Sequence, residues 1–293
     1  MYLDHYNLTE LPFSITPDTS FFMNRAGYQD ALNVLTIALR SGEGFVKVTG
    51  EVGVGKTILC RTLMKAVSKD FVTAYIHNPY IKPDSLLFSI ADALSVKYEK
   101  ATSQHLLMKS ITRALLDTHR KGKKVVVCLD EVQAMPIQTL ESLRLLTNLE
   151  TEKRKLLQVV LFGQPELDTL LSQPSVRQLK QRITFSYRLL PLNKVAMYTY
   201  LRHRLQVAGR TDNTLFTRRA CEAIYKHSNG IPRLINILCH KSLICAYGEG
   251  KIKVTHKHVK LAALDIAHTR DQPDSFVASL FPFVSRWLFG NPT

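Results

Sequence analysis

The run Gly50-Glu51-Val52-Gly53-Val54-Gly55-Lys56-Thr57 fits the pattern GxxxxGK[ST] and constrains the fold more than any other feature of these 293 residues. It stands between an apolar, β-branched run, Phe45–Thr49, and a helical pattern that opens at Lys56. A loop of this kind works only at that junction. Its glycines let successive backbone N–H groups turn inward around an anion, and the positive end of the helix dipole adds to the attraction. Lys56 is expected to bridge the β- and γ-phosphates of a nucleotide, and the Thr57 hydroxyl to ligate Mg²⁺. With Ile58 in the first helical turn, residues 50–58 form the expected cradle.

The rest of the chain supports that junction. Apolar runs at Phe45–Thr49, Phe71–His77, Lys124–Asp130, Leu157–Gly163 and Ile183–Arg188 alternate with helical spacings. This predicts an α/β fold with a five-stranded parallel sheet over residues 1–190. Asp84 before Leu86, Leu87, Ile90, Ala91 and Leu94 marks one helix, and Leu106 to Leu116 before Gly122 marks another. After Pro191 strand signals stop. A small all-helical lid is expected over residues 191–268, followed by an apolar tail over 269–293.

Chemistry gathers at the strand ends. Val125 to Leu129 is a buried-strand run that ends in Asp130-Glu131. Asp130 is placed to hold the Mg²⁺ hydration shell, and Glu131 to orient and deprotonate an attacking water. Gln164, after the next strand, is expected between the metal strand and the loop, near the γ-phosphate or the water. Arg182 precedes the fifth strand and is the first candidate for an arginine finger supplied to a neighbouring subunit, with Arg177 the second. Gly230-Ile231-Pro232-Arg233 puts Arg233 in the first turn of a lid helix, a position from which an arginine can reach nucleotide phosphates. His256 and His258 have no further ligand cluster beside them, so a solvated basic face is expected there. The additional strand Phe71–His77, lying in sequence between loop and carboxylates, together with a glutamate base, indicates the additional-strand class of phosphate-loop ATPases.

Composition narrows the setting. With 39 Lys+Arg against 24 Asp+Glu the formal net charge is +15, and residues 191–268 alone hold 13 and 4 of these, a net of +9. A polyanionic partner is permitted: acidic lipid, an acidic protein or nucleic acid, in that order. Cys60, Cys128, Cys221, Cys239 and Cys245 form no CxxC pair, so reduced core residues are expected. The start, MYLDHYNLTELPF, lacks the basic-then-apolar shape of a signal peptide, which gives a cytoplasmic reading. The tail run Ser275–Phe289 is interrupted by Pro282 and Arg286 and falls short of the roughly 20 residues of a membrane span. It is suited to an interface or a membrane surface, or to folding back on the lid.

Taken together, loop, strand-end carboxylates, post-strand Gln, Arg before the fifth strand and GxPR on a helical lid resemble an AAA+ ATPase. Three segments narrow the resemblance: Met1-Tyr2 through Leu11-Pro12-Phe13-Ser14-Ile15-Thr16-Pro17, Gly42 to Gly53, and Leu143 to Glu152 with Leu156 to Leu167. They resemble the general secretion pathway protein A family, and within it the branch of the M protein of mannose-sensitive haemagglutinin (MSHA) type IV pilus biogenesis. The resemblance covers about residues 1–268. It implies an oligomeric ATP hydrolase that helps build a pilus or secretion machine at the cytoplasmic face of the inner membrane. The same roles follow for Lys56, Thr57, Asp130, Glu131, Arg182 and Arg233, and Phe13 to Pro17 would lie near the adenine. Secretion-type relatives continue into a membrane span and a peptidoglycan-binding region, so direct cell-wall contact is not expected of this chain. A DNA-binding regulator of the transposition type and a slow nucleotide switch are the alternative outputs.

Overall fold

The computed structural model describes residues 2–15, 21, 26–77, 80–99, 102–146, 149, 155–212 and 214–271. Two compact units divide between Leu190 and Pro191: Asn24–Leu190 forms one, and Met1–Met23 with Pro191–Thr293 forms the other. The apolar tail beyond Asp271 lies outside the described residues.

In the first unit α1 (Ala26–Ser41), β1 (Phe45–Thr49), α2 (Lys56–Val67), β2 (Phe71–Ile76), α3 (Pro83–Ala93) and α4 (Gln104–Arg120) come first. They are followed by β3 (Lys124–Leu129), α5 (Ile137–Leu146), β4 (Leu157–Gly163), α6 (Glu166–Leu170), α7 (Arg177–Gln181) and β5 (Ile183–Arg188). All strand pairs are parallel, in the order β2-β3-β4-β1-β5. The five expected strands are present, with ends that differ by at most one residue.

Burial explains why these strands read so clearly. Val125–Leu129 and the whole of β4 are buried, because helices cover both faces of the sheet centre, and such strands appear in sequence as unbroken apolar runs. The edge strand β5 alternates between half-buried and exposed residues instead. Val125, Val127, Leu129, Val159 and Leu161 share a core with Leu107, Ile111 and Leu115 of α4 and with Leu140 and Leu143 of α5. The alternate residues, Val126, Cys128, Val160 and Phe162, point to the other face, where α1 and α2 bury Leu35, Leu39, Leu59 and Leu63. The consequence for function is topological: β4 lies between β1 and β3, so the ends of those three strands converge.

The second unit contains α8 (Lys194–Val207), α9 (Arg218–Ser228), α10 (Pro232–Gly248) and α11 (His256–Asp271). Asn193 and Thr217 cap α8 and α9 by accepting Ala196 N–H and Ala220 N–H, and Pro232 opens α10, where its missing N–H costs nothing. The N-terminal segment, expected with the sheet domain, packs here. Tyr2, Tyr6, Leu8 and Phe13 are buried in one core with Leu201, Leu205, Ile224 and Leu243. Each buried aromatic of this kind contributes about 1.5–3 kcal/mol. Polar contacts hold the same segment: the Tyr6 hydroxyl donates to the Leu243 and Lys251 carbonyls, and buried Arg204 donates to the carbonyls of Pro12 and Ser14. The Arg204 guanidinium also lies 4.2 Å from the centroid of the Phe21 ring.

All five cysteines are free and buried, as expected of core residues. Among the described residues no helix is long and apolar enough to cross a membrane, and no three or more His, Cys, Asp or Glu side chains gather as a metal-binding group.

Candidate nucleotide-binding site

The phosphate loop leaves β1 under close steric constraint. A Cβ on Gly50 would lie 2.7 Å from the Leu189 carbonyl oxygen, so the chain can pass only as glycine. Gly55 has φ +106, and a Cβ there would lie 1.7 Å from the Tyr28 hydroxyl oxygen. That hydroxyl, carried by α1 and buried, donates to the carbonyls of Val54 at 3.0 Å and Gly55 at 2.7 Å. Gly53 also has a positive φ, Val54 is buried beneath the loop, and Glu51 and Val52 are exposed on it. No side chain caps α2, so the N–H groups of its first turn, Lys56 to Ile58, remain available to an anion. Loop curvature, helix end and lysine therefore fit phosphate.

Lys56 is 5% exposed, and its Nζ donates to the loop's own carbonyls, Gly50 at 2.7 Å and Glu51 at 3.1 Å. Burial lowers its pKa, and the charges of Glu131, Asp130 and Glu51 oppose that shift. The Thr57 hydroxyl donates to Asp130 Oδ2 at 2.8 Å, and Asp130 is fully buried. A hydroxyl and a carboxylate brought together in this way are hard oxygen donors, the chemistry that suits Mg²⁺. Two groups absent from the sequence reading complete the pair. The Tyr75 hydroxyl, on β2, donates to the same Asp130 oxygen at 3.0 Å and lies 3.1 Å from His77 Nδ1. Strand alternation places Tyr75 and His77 on one face, and that was the available signal.

Glu131 adopts left-handed backbone angles, φ 54 and ψ 37, and its N–H donates to Asp130 Oδ1 at 3.0 Å. Burial raises its carboxyl pKa. Hydrogen bonds from Gln133 and Gln164, with the charges of Lys56 and His77, outweigh burial and hold it below the ordinary carboxylate range. Gln164 thus stands beside Glu131, at the end of the strand between loop and metal strand: its Nε2 donates to Glu131 Oε2 at 3.1 Å. Gln133, which sequence reasoning passed over, donates to the same oxygen at 2.7 Å.

The arginines fall elsewhere. Ile183 is level with Phe45 and Arg188 with Thr49, so Arg182 lies at the opposite end of the sheet from the loop, about 17 Å away along the strands. It is half-buried at the end of α7 and donates to the Arg144 carbonyl at 3.4 Å, while Arg177 is exposed at the start of α7. Neither sits at this chain's own phosphate loop. Arg233 is exposed in the first turn of α10 in the helical unit. Phe13 is buried against Phe216, ring centroids 5.9 Å apart, and of the segment expected near the adenine Thr16 and Pro17 lie outside the described residues. His258 corrects the expectation of a solvated face: it is 3% exposed, accepts the Thr255 N–H on Nδ1 and reaches Glu249 Oε2 at 3.1 Å.

Comparison with known proteins supports this fold. A family described as AAA domain matches residues 39–171. General secretion pathway protein A of Aeromonas hydrophila is 44% identical over 272 residues, which is 93% of this chain and 50% of that protein. The chain spans about half the length of that relative. Among solved structures, Cdc6p of Pyrobaculum aerophilum superposes with a TM-score of 0.66 at 17% identity, covering 87% of this chain and 70% of that one. The Aeropyrum pernix ORC1 protein in complex with DNA gives 0.63 at 17% identity, covering 96% and 78%. The chain is therefore similar to general secretion pathway protein A over most of its length, and its fold is that of the AAA+ phosphate-loop ATPases.

Proposed function

We propose that this chain hydrolyses Mg-ATP to ADP and phosphate and, as a homo-oligomer, assists assembly of a secretion apparatus or a type IV pilus of the MSHA type at the inner membrane. The observation that carries the ATPase reading is the Thr57 to Asp130 hydrogen bond, which brings phosphate loop and strand-end carboxylates into one site. The domain match and the fold support the same activity. Residues 50–58 bind the triphosphate, with Lys56 as its charge partner. Thr57 and Asp130 would hold Mg²⁺, which neutralises phosphate charge when bound. Glu131 accepts a proton from the attacking water, and Gln164 aligns the reacting groups. Arg182 acts on a neighbouring subunit's nucleotide, because its own loop lies a strand length away, and Arg233 reports nucleotide from the helical unit.

The decisive variant is Glu131→Gln. It is expected to bind ATP as the wild type does and to lose nearly all turnover, about 10²-fold or more for a general base. Normal turnover would remove Glu131 from that role. Lys56→Ala is expected to abolish binding. A membrane pull-down with the ATP-locked Glu131→Gln form tests the secretion or pilus assignment: recovery of envelope machinery components supports it, and their absence overturns it. A DNA-directed output is the second reading, motivated by the exposed Lys251, Lys253, Lys257 and Lys260 and by a fold neighbour solved on DNA. Salt-sensitive, ATP-dependent duplex binding would favour it over the pilus assignment.

A further inference from the structure

Gln133 lies in the short 3-10 turn Val132–Ala134 that follows Glu131. Both ends of its amide are fixed by their partners. Its Oε1 accepts the backbone N–H of Gln164 at 2.9 Å, and a backbone N–H can only donate. Its nitrogen must then be the end that meets Glu131 Oε2, at 2.7 Å. Gln164 closes the ring with its own donation to that oxygen, at 3.1 Å. The preceding residue is glycine for a related reason: a Cβ on Gly163 would meet Leu167 at 2.7 Å and Gln133 Oε1 at 3.2 Å. Space is therefore reserved for the Gln133 amide between the ends of β3 and β4.

We propose that Gln133 is the positioning residue of the hydrolytic step, joining the Glu131 carboxylate and the β4-end Gln164 into one unit so that both are aligned together. The proposal rests on the reading of Glu131 as the base. A glutamate side chain has three rotatable bonds, and a misplacement of about 1 Å in a reacting group can cost about 10²-fold in rate. Two amide donors on one carboxylate oxygen restrict that freedom, and Gln133 ties its own end of the pair to the β4 backbone by accepting the Gln164 N–H.

The test compares Gln133→Leu and Gln133→Glu in the full chain, measuring kcat and KM for Mg-ATP and the dissociation constant of a fluorescent ATP analogue. Gln133→Leu is expected to lower kcat by about 10²-fold while KM and the dissociation constant stay within about threefold. A Gln164→Ala background keeps the 164 N–H and removes only the second donor to Glu131; the same substitution should cost less there, because the carboxylate has already lost part of its alignment. Gln133→Glu keeps an oxygen for the Gln164 N–H but opposes carboxylate to carboxylate; it should also lose kcat, and it carries the test if the leucine variant does not fold. Unchanged kcat, a rise in KM alone, or losses that add with Gln164→Ala would overturn the proposal. Glu131→Gln assayed in parallel separates the two ideas. Normal turnover there removes the base reading, whereas arrested turnover there beside an unaffected Gln133→Leu removes only the bridge.

Discussion

Tyr28 offers a quantitative test of how the phosphate loop is held. Its single hydroxyl proton is shared between the Val54 and Gly55 carbonyls, at 3.0 and 2.7 Å, so Tyr28→Phe removes about one hydrogen bond. A buried bond of this type is worth about 0.5–1.5 kcal/mol net. If the loss falls on the binding-competent loop, nucleotide affinity should drop by roughly 2- to 13-fold, since 1.4 kcal/mol is tenfold. Gly55→Ala is expected to be far worse. The added methyl would overlap the Tyr28 hydroxyl oxygen at 1.7 Å, and φ +106 costs a residue with a side chain about another 1–2 kcal/mol. Combining the two substitutions removes the overlapping atom, leaves Tyr28 Cζ at 3.0 Å as the next contact, and keeps the backbone strain. The double variant should therefore bind better than Gly55→Ala alone, although Tyr28→Phe by itself weakens binding. Titration with a fluorescent ATP analogue measures all four corners of this cycle. Equal affinities for Gly55→Ala and the double variant would refute the steric argument, and wild-type affinity in Tyr28→Phe would refute the hydrogen-bond argument.

Three further outcomes are expected. Arg182→Ala should lose turnover alone and regain it when mixed with Lys56→Ala subunits, whose intact Arg182 can serve the variant's site; absence of rescue would exclude a finger acting in trans. Arg204→Met should free the carbonyls of Pro12 and Ser14, costing about 3 kcal/mol or more for charge-assisted bonds. Its melting temperature should fall by about 10 °C and residues 1–15 should become protease-sensitive; an unchanged melting temperature would show that the segment does not depend on this clasp. His240 has its pKa lowered, first by burial and then by Lys241, and its Nδ1 lies 2.9 Å from the Tyr2 hydroxyl. The unfolded chain then takes up the His240 proton first, so stability should decline as pH falls through the ordinary histidine range near about 6.5. His240→Gln should flatten that part of the thermal-unfolding profile, and an unaltered slope would exclude the linkage.

Most of what the sequence made legible was locally encoded. The phosphate loop is a contiguous pattern, and central strands buried on both faces announce themselves as apolar runs, so β1 and β4 were read to the residue. Gln164 could be placed because strand order follows from the additional-strand topology. The misses share a physical cause. Residues 1–15 were grouped with the sheet because they precede it, but Pro12 and Tyr6 meet partners 192 and 237 positions downstream, a distance at which no periodicity operates. Tyr28 and Tyr75 resemble any amphipathic-helix or edge-strand tyrosine until their hydroxyls meet the loop and Asp130. His258 was misread for the same reason: polar neighbours suggest a solvated face, whereas its ring closes the turn before α11.

The same distinction revises the meaning of the basic charge. Of the 13 cations in residues 191–268, several are used inside the helical unit. Arg204 and Arg210 donate to N-terminal carbonyls, Lys241 pairs with Asp265, and Lys194 and Arg218 both approach Glu222, at 3.4 and 3.6 Å. Lys251, Lys253, Lys257 and Lys260 are instead exposed within ten residues of one another, around the turn into α11, and the nearby Glu249 is engaged by His258. If the external field of this unit comes from that cluster, replacing the four by alanine should lower the salt needed for elution from heparin. For any duplex DNA binding, the log-log salt slope should fall by about 3 to 4, at about 0.9 per neutralised phosphate. Substituting Lys194 and Arg218, which already share a carboxylate, should move either quantity much less. The opposite ranking would place the effective charge on the α8 and α9 side and refute the assignment.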